Sequence, residues 1–469
     1  MNQTTPSGRA RPTSWLVLMV LGAVLLSGGC KTLDVPDLDS PSIASLTNNP
    51  TPSAVADAAQ GILFEHRNLL STFIPIAGEF GREGYALDPS NPQNPRTFFV
   101  VLNQDVGSGI WSTAYRNVKE ADLVLSAVGS VAGLTAQEAE ATRGFALTFK
   151  ALDLLDVIAA LDSSGAALDV TTNPTDPLPP IALKGPVYAQ ILQLFDQGAT
   201  HLQGAGAGGD FPFAFPPGFT GFTTPAAFLK VNRGLKARAD VYAGNYAAAL
   251  TDIAASFIDT SSAAAITVGV YHNFGTASGD APNPLYDPTT HIRFAHPSIW
   301  AGAQLQPGGQ RDLRALAKVA PIPQLIRDGY AVSEKLTVYN SPTAPIAIIR
   351  DEELILLRAQ ANLALGNVGL ATADINFIRV NSGGLAPIAN PYVPTANQPT
   401  LLDELLYEKA YSLFWELGTR WIDARQYGKL AGLPHSNPGD LVFPYISIPI
   451  NECDQRSPAP AGCAVPAGL

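Results

Sequence analysis

Apolar residues recur at helical spacing through much of this chain, most densely between residues 400 and 427. Leu405, Leu406, Leu413, Trp415 and Trp421 are too many large side chains for a solvated helix, so neighbouring elements must cover most of them. Trp111, Tyr115, Val118, Ala121, Leu125 and Val128 place a helix over 110–128. Phe145, Leu147, Phe149, Leu152, Leu155 and Ile158 place a second over 138–161. An internal repeat appears when 235–253 is laid on 357–375: Leu235, Ala237, Ala239, Gly244, Asn245, Ala249, Asp252 and Ile253 meet Leu357, Ala359, Ala361, Gly366, Asn367, Ala371, Asp374 and Ile375. Each copy reads as an Ala-rich helix, a Gly-Asn break and a second helix, with the glycine able to take the left-handed conformation that ends the first. Gly244-Asn245-Tyr246-x-x-Ala249 is also what a tetratricopeptide repeat shows at its turn.

The pattern predicts a mainly α fold, a tetratricopeptide-like scaffold of helical pairs at about 110–161, 185–258, 350–380 and 400–427. Residues 162–186, 204–225 and 261–345 are rich in Gly, Pro, Ser and Thr. They predict long loop or small-strand excursions on the scaffold, too long to be mere connections.

The N-terminus has its own pattern. Arg9 and Arg11 precede an apolar run from Trp15 to Leu26, closed by Ser27-Gly28-Gly29-Cys30. The run is too short and wrongly flanked for a membrane span, and predicts a signal peptide over 1–29 followed by one domain over 30–469. Cys30 at its end resembles the acylated cysteine of a bacterial lipobox, with Ser27 at the position usually held by Leu. The alternative is an ordinary secretory cut that leaves a free thiol. Several acyl chains on one residue would anchor stably where one would not. Lys31 after the cysteine points to the outer membrane by analogy with enteric lipoprotein sorting.

The net charge of −11 leaves no basic stripe with interleaved aromatics, so nucleic acid is not an expected partner. Of three cysteines, Cys453 and Cys463 flank a segment with Pro458, Pro460 and Gly462 that can turn back on itself. An oxidising compartment favours a disulfide there over two thiols. Glu416, Arg420 and Asp423 stand four and three residues apart, and on one continuous helix they would form a structural ion network. Asp351, Glu352 and Glu353 read as the acidic first turn of a helix.

The segment from Glu408 to Asp423 resembles the signature Glu-Arg-x-x-Glu-Leu-x-x-Glu-Gly-x-Arg-Trp-x-Asp of SusD/RagB-like outer-membrane lipoproteins. Glu408, Leu413, Glu416, Gly418, Arg420, Trp421 and Asp423 match it; Lys409 stands for Arg, Ser412 for the second Glu, and Leu417 is an extra residue. The helix bearing Trp111, Tyr115 and Ala121 is similar to the family's helix with Trp, Tyr and Ala in that order, the helix over 138–161 to its following long helix, and 443–452 to its closing Pro-Ile-Pro-x-x-Glu segment. The resemblance implies a non-catalytic, lipid-anchored binding protein of the outer membrane. Its helical repeats would face a SusC-like TonB-dependent transporter, and the opposite excursions would capture a nutrient, a glycan or oligosaccharide first among the candidates.

A sugar site needs flat aromatic faces with amide, carboxylate or Arg groups beside them. Tyr271, His272, Phe274, Tyr286, His291, Arg293, Phe294, His296 and Trp300 are the densest such set outside the helices. Trp300 ranks first, then Tyr271 and Tyr286, with Arg293 as the polar partner; the competing reading makes these rings the excursion's own small core. A second set is Glu79, Arg82, Glu83 and Tyr85, read as a loop before the first long helix. The spacing of His272, His291 and His296, with no acidic cluster around them, argues against a metal. No His-Glu-x-x-His, Gly-x-Ser-x-Gly or phosphate-cradling glycine loop occurs, and no cofactor is expected. Two other functions stay open: a surface hydrolase with paired carboxylates near the aromatics, and a helical-repeat scaffold for envelope proteins.

Overall fold

The computed structural model describes residues 43–171, 175–288 and 292–469. The signal peptide over 1–29, the Cys30 anchor and His291 lie outside the described residues. Residues 43–469 form one compact unit.

Among the described residues ten longer helices build the scaffold: α1 (Pro52–Phe80), α2 (Ser108–Ala127), α3 (Ala136–Leu161), α4 (Lys184–Gly204), α5 (Pro225–Ala243), α6 (Tyr246–Ala254), α7 (Asp351–Ala364), α8 (Val368–Asn381), α9 (Leu401–Ser412) and α10 (Thr419–Gln426). Side chains set several of their starts. Thr135 with Glu138 and Thr400 with Asp403 make reciprocal capping boxes at α3 and α9. Helix α3 is buried along its whole length from Phe145 to Leu161, because α1, α2, α4 and α5 all pack on it.

The repeat at 235 and 357 is structural. Gly244 and Gly366 both adopt left-handed backbone, at φ 82° and 79°. Across each break the following amide returns to the preceding helix, Asn245 N–H to Asp240 O and Asn367 N–H to Asn362 O, both at 2.8 Å. The ion pair repeats too: Lys236 meets Asp252 at 2.6 Å, and Arg358 meets Asp374 at 2.7 Å. The two copies pack on each other through Ala237, Val241, Ala249, Ile253, Leu357 and Ala361. The fold is mainly α and built of helical pairs.

The layout predicted from sequence omits α1, a 29-residue helix that packs on α2, α3 and α10. Glu79 therefore closes a helix rather than sitting in a loop, and Glu79, Arg82, Glu83 and Tyr85 are all buried. The excursions carry eight short strands among the described residues, β1 (Gly84–Ala86), β2 (Ala166–Ala167), β3 (Ile181–Ala182), β4 (Gly269–His272), β5 (Arg293–Ala295), β6 (Val319–Arg327), β7 (Tyr330–Leu336) and β8 (Ile346–Arg350). One antiparallel sheet runs β1-β5-β7-β6, a second pair is β2-β3, and a third is β4-β8. Pro321 and Pro323 lie in β6, the edge strand, where a missing N–H is tolerated. In 204–225 the alternating Phe211, Phe213 and Phe215 fold back onto Phe145 and Phe228, so this excursion closes the core of α3 and α5.

Residues 400–427 form a helical pair, so the single helix that the charge spacing assumed over 408–425 is broken. Helix α9 stops at Ser412; Trp415 takes φ 55° and Gly418 φ 61° before α10 begins. The buried Glu83 carboxylate accepts the freed Trp415 N–H at 2.9 Å, which satisfies the backbone where the ladder is interrupted. The break also dissolves the Glu416, Arg420 and Asp423 network. Glu416 turns to Arg350 and to Lys318, the latter at 3.0 Å. Arg420 donates to Arg82 O at 2.7 Å, and Asp423 pairs with Lys409 at 2.6 Å.

Candidate functional site

Where β4 and β8 meet the break after α9, a cavity of about 770 Å3 opens to solvent. Strand β4 contributes Tyr271, paired in register with Ala347 just past a bulge that follows Val270. The ring is half-buried and its hydroxyl donates to Thr267 O at 2.5 Å, so the polar end is tied to the wall. Thr267, Asn340, Ser341, Thr343, Asn381 and Ser382 also line it, a set of short hydroxyls and amides.

The floor is charged and internally paired. Arg350, the residue before α7, binds Glu352 at 2.9 Å, Ser412 O at 2.6 Å, and Glu416. Lys318, at the end of the short helix Leu313–Lys318, donates to Tyr411 O, Ser412 O and Glu416. Burial alone would raise the Glu352 carboxyl, but Arg350 and Lys318 outweigh it and hold it at about 2. Burial, with Arg350 adding to it, pushes the Lys318 amine down to about 7. Arg314 closes the floor on its far side. It is clamped by Asp312 at 2.5 Å and by the fully buried Glu408 at 2.6 Å; Arg379 reaches the other Glu408 oxygen at 2.9 Å. Such a floor offers fixed donors and acceptors but no unpaired charge. It suits a neutral, hydroxyl-rich ligand better than an ion.

The four ligand candidates named from sequence do not converge. Tyr271 lines this cavity. Trp300 sits half-buried on the short helix Pro297–Gly302, packed against the main core, with the Arg311 guanidinium 5.0 Å from its ring centre. Arg293 is bound into β5 opposite Ala86, its Nη1 3.5 Å from Leu285 O, and burial lowers its pKa. Tyr286 is half-buried in the loop before it. Phe274 and Phe294 belong to the core, and Arg327 stacks over the latter. His272 is buried, with its Nε2 2.7 Å from His66 Nδ1. His296 accepts the Ser298 N–H and so caps its helix. Among the described residues no group of three or more His, Cys, Asp or Glu could hold a metal ion.

The sequence reading missed Arg350, Glu352, Lys318 and Arg314. Asp351, Glu352 and Glu353 do open α7, but they are buried and paired, not solvated: Glu353 takes a two-pronged bond from Arg238 at 2.6 and 2.7 Å, and Asp351 accepts the Asp259 N–H at 2.8 Å. Four consecutive charges after the apolar Ile346–Ile349 were the available signal. A charged run joined directly to a strand that is buried throughout cannot be wholly solvated.

Cys453 and Cys463 are bonded in the structure, with Cα atoms 5.9 Å apart. Among the described residues no helix is long and apolar enough to cross a membrane.

No protein-family model matches the chain, and no curated protein is similar to it in sequence. Solved structures are similar in fold. A SusD superfamily protein from Bacteroides vulgatus superposes with a TM-score of 0.62 at 14% identity, covering 88% of this chain and 100% of that one. Surface glycan-binding protein A from Bacteroides uniformis gives 0.60 at 14% identity, over 87% of this chain and 98% of that one. A laminarin-binding SusD-like protein gives 0.55 at 14% identity, over 85% and 97%. This chain has the fold of the SusD superfamily.

Proposed function

We propose that the protein is a divergent SusD-like, non-catalytic glycan-binding protein, and that the Tyr271 cavity is where it holds an oligosaccharide. The observation that carries the reading is the composition of that cavity: the aromatic side chains of Tyr271 and Tyr339, a set of hydroxyls and amides, and a floor whose charges are already neutralised. Pyranose rings present an apolar face and a hydroxyl rim, and these surfaces match each in turn. Surface glycan-binding protein A and the laminarin-binding protein share the fold, which supports the ligand class.

The same floor weighs against the hydrolase. Glycoside cleavage needs one carboxyl kept protonated by a raised pKa. Glu352 is held at about 2, and Glu416 is engaged by both Arg350 and Lys318. Glu352 therefore cannot donate a proton to a leaving oxygen at neutral pH, and both Glu416 ion pairs would have to break to free that carboxylate.

Calorimetric titration with neutral oligosaccharides, laminarin fragments first, tests the binding. Saturable binding without release of reducing ends is expected. Tyr271→Ala should weaken it about tenfold, the loss of roughly 1.4 kcal/mol of ring contact. Trp300→Ala should change affinity less than about twofold, because Arg311 covers its ring and the core holds it. Turnover, or binding that survives Tyr271→Ala but not Trp300→Ala, would refute this placement of the site.

Delivery to a SusC-like TonB-dependent transporter, from a Cys30 lipid anchor in the outer membrane, completes the proposal. A tether raises the effective concentration of binder at the pore. Affinity purification from detergent-solubilised native outer membranes should recover a stoichiometric barrel with the wild type and lose membrane association in Cys30→Ala. Absence of any barrel under gentle extraction would leave the helical-repeat scaffold as the better account.

A further inference from the structure

A second cavity of about 480 Å3 lies between the short helix Pro297–Gly302, α9, α10 and the Gly432–Leu433 turn. Its lining differs from the first in kind. Ile299, Leu406, Ala410 and Leu433 make it apolar, and Tyr407 and Tyr411 add two rings with centroids 4.4 Å apart. Both hydroxyls are committed to the protein. Tyr411 donates to Ile299 O at 2.6 Å; Tyr407 donates to Asp312 at 2.9 Å and accepts the Gln304 N–H at 2.8 Å.

The charges around this cavity cancel except for one. Asp423 is paired with Lys409 and Asp403 with Lys429. Arg420 also lines the cavity, and it donates one Nη to the Arg82 carbonyl at 2.7 Å. Among the described residues its guanidinium has no carboxylate within ion-pair distance. The acid closest in influence is Glu83, whose carboxylate accepts the Trp415 N–H at 2.9 Å and makes no ion pair with the Arg420 guanidinium. A guanidinium beside apolar walls and without a carboxylate in contact is costly, and a bound carboxylate would offset that cost through charge-assisted hydrogen bonds.

We propose that this cavity binds a small organic carboxylate, its carboxylate on the Arg420 guanidinium and its apolar body against Tyr407, Tyr411 and Leu406. The volume fits a compact molecule of this kind. An inorganic anion would leave the apolar walls unfilled, and a neutral sugar would leave Arg420 unanswered. The site stands apart from the glycan reading and does not depend on it, since the two cavities share no lining residue.

The test uses the full chain and two matched probes, phenylacetate and its neutral counterpart phenylacetamide, with binding followed by ligand-observed NMR. Phenylacetate should bind saturably and at least about tenfold more tightly than the amide, the value of one charge-assisted contact. Arg420→Gln should erase that preference. Because Arg420 also supports Arg82, a second variant, Ala410→Phe, fills the cavity from α9 and should abolish phenylacetate binding while leaving the oligosaccharide isotherm unchanged. Equal binding of acid and amide by the wild type, no saturable binding of either, or phenylacetate binding undiminished in Ala410→Phe would each overturn the proposal.

Discussion

Gly418 rests directly on Ala77, where the start of α10 crosses the end of α1. A Cβ on the glycine would overlap the alanine methyl, and the backbone there is left-handed at φ 61°. Gly78 beside it is seated against Trp415, whose ring carbons would lie 2.7 Å from a Cβ at that position. Two glycines thus let the broken helix settle onto the long one. Gly418→Ala should cost about 2–4 kcal/mol, combining overpacking with a left-handed conformation that only glycine adopts freely. Urea unfolding followed by tryptophan fluorescence measures it. Adding Ala77→Gly should recover the steric part, giving a favourable coupling energy of about 1 kcal/mol or more in the double-mutant cycle. Additive effects would mean that the contact is not the cause.

Glu408 is the keystone of the charges beneath the Tyr271 cavity. It is fully buried and its two oxygens are divided between Arg314 and Arg379. Glu408→Ala leaves both guanidiniums short of a carboxylate in a dry site, and should cost about 3–5 kcal/mol. Asp312 still holds Arg314 and Glu404 still holds Arg379, so the fold should survive with a lowered melting temperature. Glu408→Gln keeps an acceptor and should lose less than the alanine variant. A melting temperature unchanged in Glu408→Ala would refute the role.

The helical pairs were legible because their apolar faces repeat at 3.6 residues and a second copy confirmed the register. Helix α1 was equally periodic, with Val55, Ala58, Ala59, Ile62, Leu63, Leu69, Leu70 and Phe73 all buried, but Gly61 and Pro75 interrupt its composition. The break after α9 was hidden for a different reason. What stabilises it is Glu83, more than 300 residues earlier, and no local pattern announces a distant capping group. The signature itself carried more than its charges suggested. Lys409, in the place of the usual Arg, is the partner of Asp423, and Ser412, in the place of Glu, donates to Glu352 and accepts from Arg314. Of the candidate site, only Tyr271 was legible, since the cavity forms from segments as far apart in the chain as Ala263 and Glu416.

The C-terminal tail is held by a staple and by a few backbone bonds. Cys453–Cys463 closes a short loop, Ile448 N–H reaches Gly462 O at 2.9 Å, and Gln104 donates to Cys463 O at 3.0 Å. Removing the bond by the paired change Cys453→Ser and Cys463→Ser should cost about 2–3 kcal/mol, as for a loop of this length. The loss should be local. Hydrogen exchange should quicken at Ile448 and Ala464, with the amides of α3 unaffected. Equal loss of protection in α3 would show that the tail unfolds with the core.

Glu79 makes stability depend on pH in a direction opposite to that of a salt-bridged acid. It is fully enclosed and accepts the Ala86 N–H at 2.8 Å, and burial lifts its pKa from 4.5 to about 8 despite Arg82 and Arg293 nearby. Between pH 4.5 and about 8 the native carboxyl holds a proton that the unfolded chain has released. Stability contributed at this site therefore falls as pH rises through that window, by at most about 1.4 kcal/mol per pH unit. Below the window both states are protonated and the effect vanishes. Glu79→Gln imitates the protonated form and keeps an acceptor for Ala86. Urea unfolding at pH 5, 6.5 and 8 should show the variant gaining on the wild type at each step. A gap that stays constant, or narrows as pH rises, would mean that Glu79 is ionised in the native protein and that Arg82 and Arg293 outweigh its burial.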